Sequence, residues 1–246
     1  MIPLLAAGGA LNVDPIRLQL SPSTRAVTLR VTNKDKEKVV VQVEAKAWRQ
    51  DAEGGDRYTA TADLVFFPKI VGIEAGRQRL IRIGYTGPPV RQREKTYRIF
   101  VQELPLSEPD EGAMKFAIRL GIPVFVKAAT SSSTPVVIDA RLKSGVLLVT
   151  MGNTGNSHYM VNAITVSAVG AGGETVFTRH TGGWYVLAGA QHVFSIPIPE
   201  SKCAKVEAVK VGLKIDRETL RRTVTVTPAS CRPKRQSSTV VNTTGQ

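Results

Sequence analysis

Long apolar runs are the first thing missing from this sequence. No stretch reaches the roughly 18–20 residues that a membrane-crossing helix requires, and the longest candidate, Met1–Ala10, falls well short of it. Helical periodicity is nearly absent as well. Histidine is scarce: His158, His180 and His192 all lie in the second half, with neither metal-ligand spacing nor a Glu-x-x-His context. There is no Gly-x-Ser-x-Gly and no Gly-Lys-Ser/Thr phosphate loop. Aspartate and glutamate are scattered over turns, where they are ordinary solvated residues. His158, just after Gly155-Asn-Ser157, is expected to cap a loop by hydrogen bonds. These absences exclude the common hydrolytic, nucleotide-driven and metal chemistries, so no catalytic residue, metal or cofactor is expected.

Cysteine occurs twice, as Cys203 and Cys231. Between them Val206–Leu213 alternates, Asp216-Arg217-Glu218 breaks, and Arg222–Thr227 alternates again, which is a hairpin pattern. Folding it about Arg217/Glu218 brings position 203 opposite about position 232, close enough for a disulfide. A disulfide implies an oxidising compartment. The other reading is two free core thiols in a cytosolic protein.

A chain of 246 residues with 42% hydrophobic content is globular and long enough for two ordinary domains. The opening MIPLLAAGGA resembles the back half of a secretory signal, although it lacks the usual positive start; a plain N-terminal extension is the alternative. Basic residues outnumber acidic ones, 33 to 20, giving +13. They sit singly along strands rather than in a basic helix, which favours an acidic partner over nucleic acid. Only Arg232-Pro-Lys-Arg235 forms a local run, inside a polar tail expected over 232–246.

What is present is alternation with period two. Arg25–Val31, Val39–Trp48, Leu64–Phe67, Gln78–Tyr85 and Thr96–Leu104 read as strands, separated by the Asn33–Lys36 turn, Gly54-Gly55, Pro68, Glu74-Ala-Gly76 and Gly87-Pro-Pro89. Short strands with a turn about every ten residues point to a β-sandwich. Trp48 suits the core of that sandwich, and the lack of a cysteine pair in this half separates it from antibody domains. Ala128–Pro135 is small and polar and reads as a hinge. Beyond it Val136–Leu142, Val146–Gly152, Met160–Val169, Thr175–His180 and Gln191–Ile198 restart the pattern. The expectation is an all-β chain of two immunoglobulin-like β-sandwiches in tandem, over 11–127 and 136–231.

One segment differs. Met114, Phe116, Ile118, Leu120 and Ile122 alternate with Lys115, Ala117, Arg119 and Gly121, placing five large hydrophobes on one face of a strand. The polar loop Pro105–Gly112 precedes it and favours a place near a sheet edge. Taken alone this is either a final strand burying one face or an edge kept exposed for β-augmentation.

Several motifs together resemble the periplasmic pilus (fimbrial) assembly chaperones of chaperone–usher systems. They are Asp14-Pro-Ile-Arg17, the Asn33 turn, Pro68 before Glu74-Ala-Gly-Arg-Gln78, and Ile81-Arg82-Ile83. Tyr97-Arg98, Gln102-Glu-Leu-Pro105 and Ile122-Pro-Val-Phe125 continue the series, followed by Gly152-Asn-Thr-Gly-Asn-Ser-His158 and Tyr185-Val-Leu-Ala-Gly189. The Ile-Pro-Val-Phe pattern is closest to the archaic branch. The resemblance implies a boomerang-shaped protein that caps incomplete pilin subunits and delivers them to an outer-membrane usher. It places Met114, Phe116, Ile118, Leu120 and Ile122 on the donor strand and Arg17 on the anchor for the subunit's terminal carboxylate. Pro123 occupies the family's partner-lysine position, leaving Lys127, Arg119 or Arg82 as the second cation. Glu94, Lys127 and Asp216 fall near the family's interdomain ion cluster. The donor edge would also let the free chaperone cap itself as a dimer. The rival readings are a surface adhesion or structural protein of immunoglobulin-like domains, and a basic nucleic-acid binder.

Overall fold

The computed structural model describes residues 11–105, 117–216 and 218–231. Contacts divide the chain into two units. Unit 1 runs to Thr134 and adds Asn153–His158 and Leu187–Ala190; unit 2 holds Pro135–Gly152, Tyr159–Val186 and the residues from Gln191 on. The expected hinge therefore meets a boundary at Thr134/Pro135. Residues before it are tied to the 153–158 loop, with the Asn156 N–H donating to Ser132 O at 2.8 Å and the Thr154 N–H to Thr134 O at 3.2 Å.

Unit 1 contains β1 (Leu11–Asp14), β2 (Leu18–Leu20), β3 (Ala26–Asn33), β4 (Val39–Gln50), β5 (Asp56–Ala60), β6 (Leu64–Phe67), β7 (Ile70–Ile73), β8 (Gln78–Tyr85), β9 (Lys95–Leu104) and β10 (Arg119–Val126). One sheet has the order β1-β3-β8-β6; the other runs β2-β10-β9-β4-β5, with β7 on β4. The chain changes sheet between β6 and β7 at Pro68, which has no N–H to continue a ladder. Valine, isoleucine and leucine at alternate positions line the space between the sheets, among them Leu29, Val31, Val41, Ile81, Ile83, Ile99 and Val101, all fully buried. Asn33 pins one corner: its Nδ2 donates to Glu37 O (2.7 Å) and Ile73 O (3.0 Å), and its Oδ1 accepts from the Asp35 N–H (2.8 Å). A buried amide with three partners holds a turn that backbone pairing alone would leave loose.

Unit 2 contains β11 (Pro135–Lys143), β12 (Val146–Asn153), β13 (Tyr159–Val169), β14 (Thr175–Gly182), β15 (Tyr185–Val186), β16 (Gln191–Pro197), β17 (Ala208–Ile215) and β18 (Glu218–Thr225). The sheets run β11-β12-β16 and β14-β13-β17-β18, with β15 on β13. Its core gathers Leu147, Val149, Met151, Ile164, Val166, Val209, Val211 and Leu213. The Cys203–Cys231 disulfide is present, with Cα atoms 5.6 Å apart. The molecule is thus two immunoglobulin-like sandwiches in tandem. Among the described residues five strands escaped the sequence pattern, β1, β2, β5, β7 and β15, each of five residues or fewer.

Trp48 needs a correction. It is 1% exposed, yet it belongs to neither sandwich core. Val39, Val41, Val43 and Ala45 face inward along β4, so position 48 points to the sheet's outer face. There it is covered by Phe125, at 6.1 Å between ring centroids, and by the Arg98 guanidinium 4.4 Å from its ring.

Candidate functional site

The strand singled out by its alternation is β10. It pairs antiparallel with β9 along its whole length, from Arg119↔Gln102 to Val126↔Lys95. On its other side β2 pairs in parallel, but only at Val124↔Leu18 to Val126↔Leu20. Over Arg119–Pro123, β9 is its only strand partner among the described residues.

Which groups lie on that open edge follows from the alternation of a strand's backbone. Ile118 O accepts from the Glu103 N–H at 2.9 Å, so even-numbered residues aim at β9; the Lys127 N–H donates to Leu20 O at 2.9 Å, so odd-numbered residues aim away. The open edge therefore carries the N–H and C=O of Arg119 and the N–H of Gly121; the Pro123 C=O already faces the Leu18 N–H in the parallel pairing with β2. Gly121 O is already taken by Arg98 Nη1 at 3.0 Å. Pro123 supplies no donor, which is why a proline is tolerated in this strand. Glycine at 121 leaves room for neighbouring side chains: a Cβ there would lie 3.1 Å from the Phe100 ring and 3.2 Å from Arg98 Nη1, and both would have to shift by a few tenths of an ångström.

The five hydrophobes divide. Met114 and Phe116 lie outside the described residues. Ile118 and Leu120 are half-buried, Leu120 against the core of unit 1. Ile122, expected on the exposed ribbon, is 2% exposed and sealed into that core with Val124 and Val126. It lies on the inward alternation with Val124 and Val126, in the core shared with Leu29, Val31, Ile81 and Ile83 of the facing sheet.

The basic candidates also separate. Arg17 is exposed and one residue before Leu18, hence level with Pro123, where the β2 pairing stops. Lys127 is half-buried and, with Arg25, Ser21, Tyr85 and Val90, lines a pocket of about 140 Å³ that has no acidic residue in its wall. Arg119 is engaged: its guanidinium lies 4.0 Å from the Phe100 ring and 3.2 Å from Glu44 Oε2. Arg82 sits opposite Phe67 and Thr28 in the other sheet and is no neighbour of β10. The residue that pattern reading missed is Arg98, only 7% exposed. It lies on the outward alternation of β9, between the inward Tyr97 and Ile99, and nothing in one sequence shows that Trp48 and Tyr58 stand beside it.

Glu94, whose side chain has no exposed surface, is held within unit 1 by His158 rather than by Lys127. Its Oε2 accepts from the His158 backbone N–H at 2.9 Å and from Nδ1 at 2.6 Å. The imidazole stacks on Phe125 at 3.5 Å and 11°. His158 thus does cap its loop, and also closes the aromatic layer outside β10. Asp216 belongs to unit 2, exposed at the β17–β18 turn with φ of 49°. Tyr58, edge-on to Phe100 at 5.4 Å, has its pKa pushed up to about 12, chiefly by burial, so it is a neutral hydroxyl at any physiological pH. No group of three or more metal-ligating side chains occurs among the described residues, and no helix there is long and apolar enough to cross a membrane.

Comparisons with known proteins agree with this fold. Among curated proteins no sequence matches. Solved structures do: the chaperone–tip adhesion subunit pre-assembly complex CsuC–CsuE of the archaic Csu pili of Acinetobacter baumannii matches with a TM-score of 0.61 at 18% identity, covering 87% of this chain and 98% of that one. The Salmonella enterica SafA pilin–SafB chaperone complex matches with a TM-score of 0.58 at 19% identity, over 87% of this chain and 96% of that one. At such identities these likenesses establish the fold. The family is established by the model for the N-terminal domain of the PapD pili and flagellar-assembly chaperones, which matches residues 10–132. With half its length matched by that model, the chain belongs to the pili and flagellar-assembly chaperone family.

Proposed function

We propose that the chain is a periplasmic chaperone that completes an unfinished pilus subunit with the open edge of β10 and passes it to an outer-membrane usher. The observation that carries this reading is the single-sided pairing of Arg119–Pro123. A subunit lacking its last strand would dock along that edge, main chain to main chain, while alternate side chains fill its empty groove. The incoming strand would find few partners beyond residue 120, since Gly121 O is occupied and Pro123 has no N–H. Pairing would therefore centre on the residues before 121, with Ile118, Leu120 and the preceding Met114 and Phe116 as donors. Ile122 instead fastens the strand to its own domain.

Arg17 stands where the open edge ends, exposed and ready for the bidentate grip that a guanidinium offers a terminal carboxylate. Lys127 beside Arg25 is the second cation we favour, because no acid competes in their pocket. The Cys203–Cys231 bond supports an oxidising compartment. Residues 1–10, read as an export signal, lie outside the described residues. Without a subunit, the same edge would pair two copies.

Co-expression with candidate secreted pilins and pull-down tests the reading. Ile118→Asp should leave a folded protein that no longer captures a subunit, whereas co-purification at the wild-type level would overturn the proposal. Arg17→Ala should weaken capture severalfold. If it does not, the carboxylate site lies elsewhere.

A further inference from the structure

The larger sheet of unit 2 turns Ile164, Val166, Val209 and Val211 to its core and its alternate residues to solvent. The registers fix what stands on that outer face. Lys210 and Lys214 project from β17, Arg221 lies opposite Gly212 on β18, and His180 lies opposite Thr165 on β14. Among Lys210, Lys214 and Arg221 run the hydroxyls of Thr165, Ser167, Thr178, Thr219 and Thr223, with Thr165 Oγ1 hydrogen-bonded to His180 Nδ1 at 3.1 Å. No acidic residue occupies an outward position of these rows. Glu218 lies opposite Ile215 on the inward alternation, and Asp216 is in the turn. None of the ion pairs among the described residues uses Lys210, Lys214 or Arg221.

Ordinary sheet spacing puts Lys210 about 13 Å from Lys214, and His180 about 14 Å across the strands from Arg221. Gly212 lies between Lys210 and Lys214 and, with Thr165, between His180 and Arg221, so the centre of the face is flat. These rows hold no Phe, Tyr or Trp for stacking bases and, Val169 apart, no apolar side chain larger than alanine to enter a lipid interface. A peptide would pair along a sheet edge and seek pockets for alternate side chains; this face offers neither edge nor pocket.

We propose that the outer face of β14-β13-β17-β18 binds an acidic polysaccharide. The cations meet the sugar carboxylates and the threonine and serine rows meet the sugar hydroxyls. This surface is separate from the β10 edge, and its test is independent of subunit capture.

The full chain would be titrated with polygalacturonate at several salt concentrations, with neutral dextran, polyglutamate and phosphatidylglycerol vesicles as comparison probes. Lys210→Glu/Lys214→Glu/Arg221→Glu should weaken polygalacturonate binding at least tenfold and lower the dependence of log K on log salt by about two to three. Gly212→Glu removes no native contact, its Cβ meeting only the Thr219 methyl at 3.6 Å, and should weaken binding in the same sense with folding intact by circular dichroism. The charge-matched variant Lys34→Glu/Lys36→Glu/Arg77→Glu on unit 1 should bind like wild type. Equal loss in that control would reduce the effect to net charge and overturn the proposal. So would unchanged binding in the first two variants, or binding to polyglutamate or vesicles as tight as to polygalacturonate.

Discussion

The outward faces of the two larger sheets make an instructive pair. In unit 1, the outer side of β2-β10-β9-β4-β5 carries Trp48, Phe100 and Phe125, and these are roofed by Arg98, Arg119 and His158. In unit 2, the outer side of β14-β13-β17-β18 carries short hydroxyls, glycines and unpaired cations under open solvent. Both faces belong to sheets whose inner side is a mostly aliphatic core, with Tyr97 in one and Tyr159 in the other. The difference shows that alternation assigns a residue to a side, while burial depends on what else lands there. Unit 1 has a second buried layer, and it backs the strand whose edge is open. A rigid backing suits a strand that must stay extended with one side unpaired.

The largest expected effect is on that layer. Trp48→Ala should destabilise unit 1 by about 3–5 kcal/mol, the usual cost of emptying a buried aromatic site. Thr223→Ala on the outer face of unit 2 should change stability by less than about 0.5 kcal/mol. Chemical unfolding followed by circular dichroism would compare them, and similar shifts for the two would break the contrast. Next comes the covalent tie. Unit 2 is closed by Cys203–Cys231 over a separation of 28 residues, worth about 3–4 kcal/mol by chain entropy. Cys231→Ser together with Cys203→Ser should lower the transition of unit 2 and leave that of unit 1 in place. Loss of stability in unit 1 instead would mean that the two sandwiches do not unfold as separate units.

How much of this was legible can be traced strand by strand. Long alternating stretches, β3, β4, β8, β9, β13 and β17, announce themselves because a half-buried strand leaves a period-two record. The disulfide was legible because a hairpin has a centre, and counting outward from it aligns the cysteines. Short strands such as β2 leave too few residues to show a period, and β2 is what covers the second edge of β10 from Val124 on. Missing it made the ribbon look longer than it is. The Glu94 partner was missed for a different reason. His158 reaches it across 64 residues of sequence, a distance over which no local pattern carries information. The family resemblance supplied Arg17, but the level of Arg17 with Pro123 came only from the β2–β10 register.

A smaller effect separates the polar pins of unit 1 from the covalent one of unit 2. Asp63 Oδ2 accepts from the Tyr97 hydroxyl at 2.5 Å and from Lys95 Nζ at 3.1 Å. The Tyr97 bond above all, then Lys95, holds Asp63 below the usual carboxylate range against the opposing cost of its partial burial. A carboxyl depressed on folding adds stability that is fully present above its unfolded value, near pH 3.9, and is lost as pH falls through the folded value. Asp63→Asn should therefore cost about 1–2 kcal/mol at pH 7, the worth of charge-assisted hydrogen bonds. The gap between the variant and wild type should narrow below about pH 4, while the disulfide's contribution stays constant. A gap that held its full size down to pH 3 would show that the carboxylate charge does not stabilise this corner, leaving packing around Tyr97 to hold it.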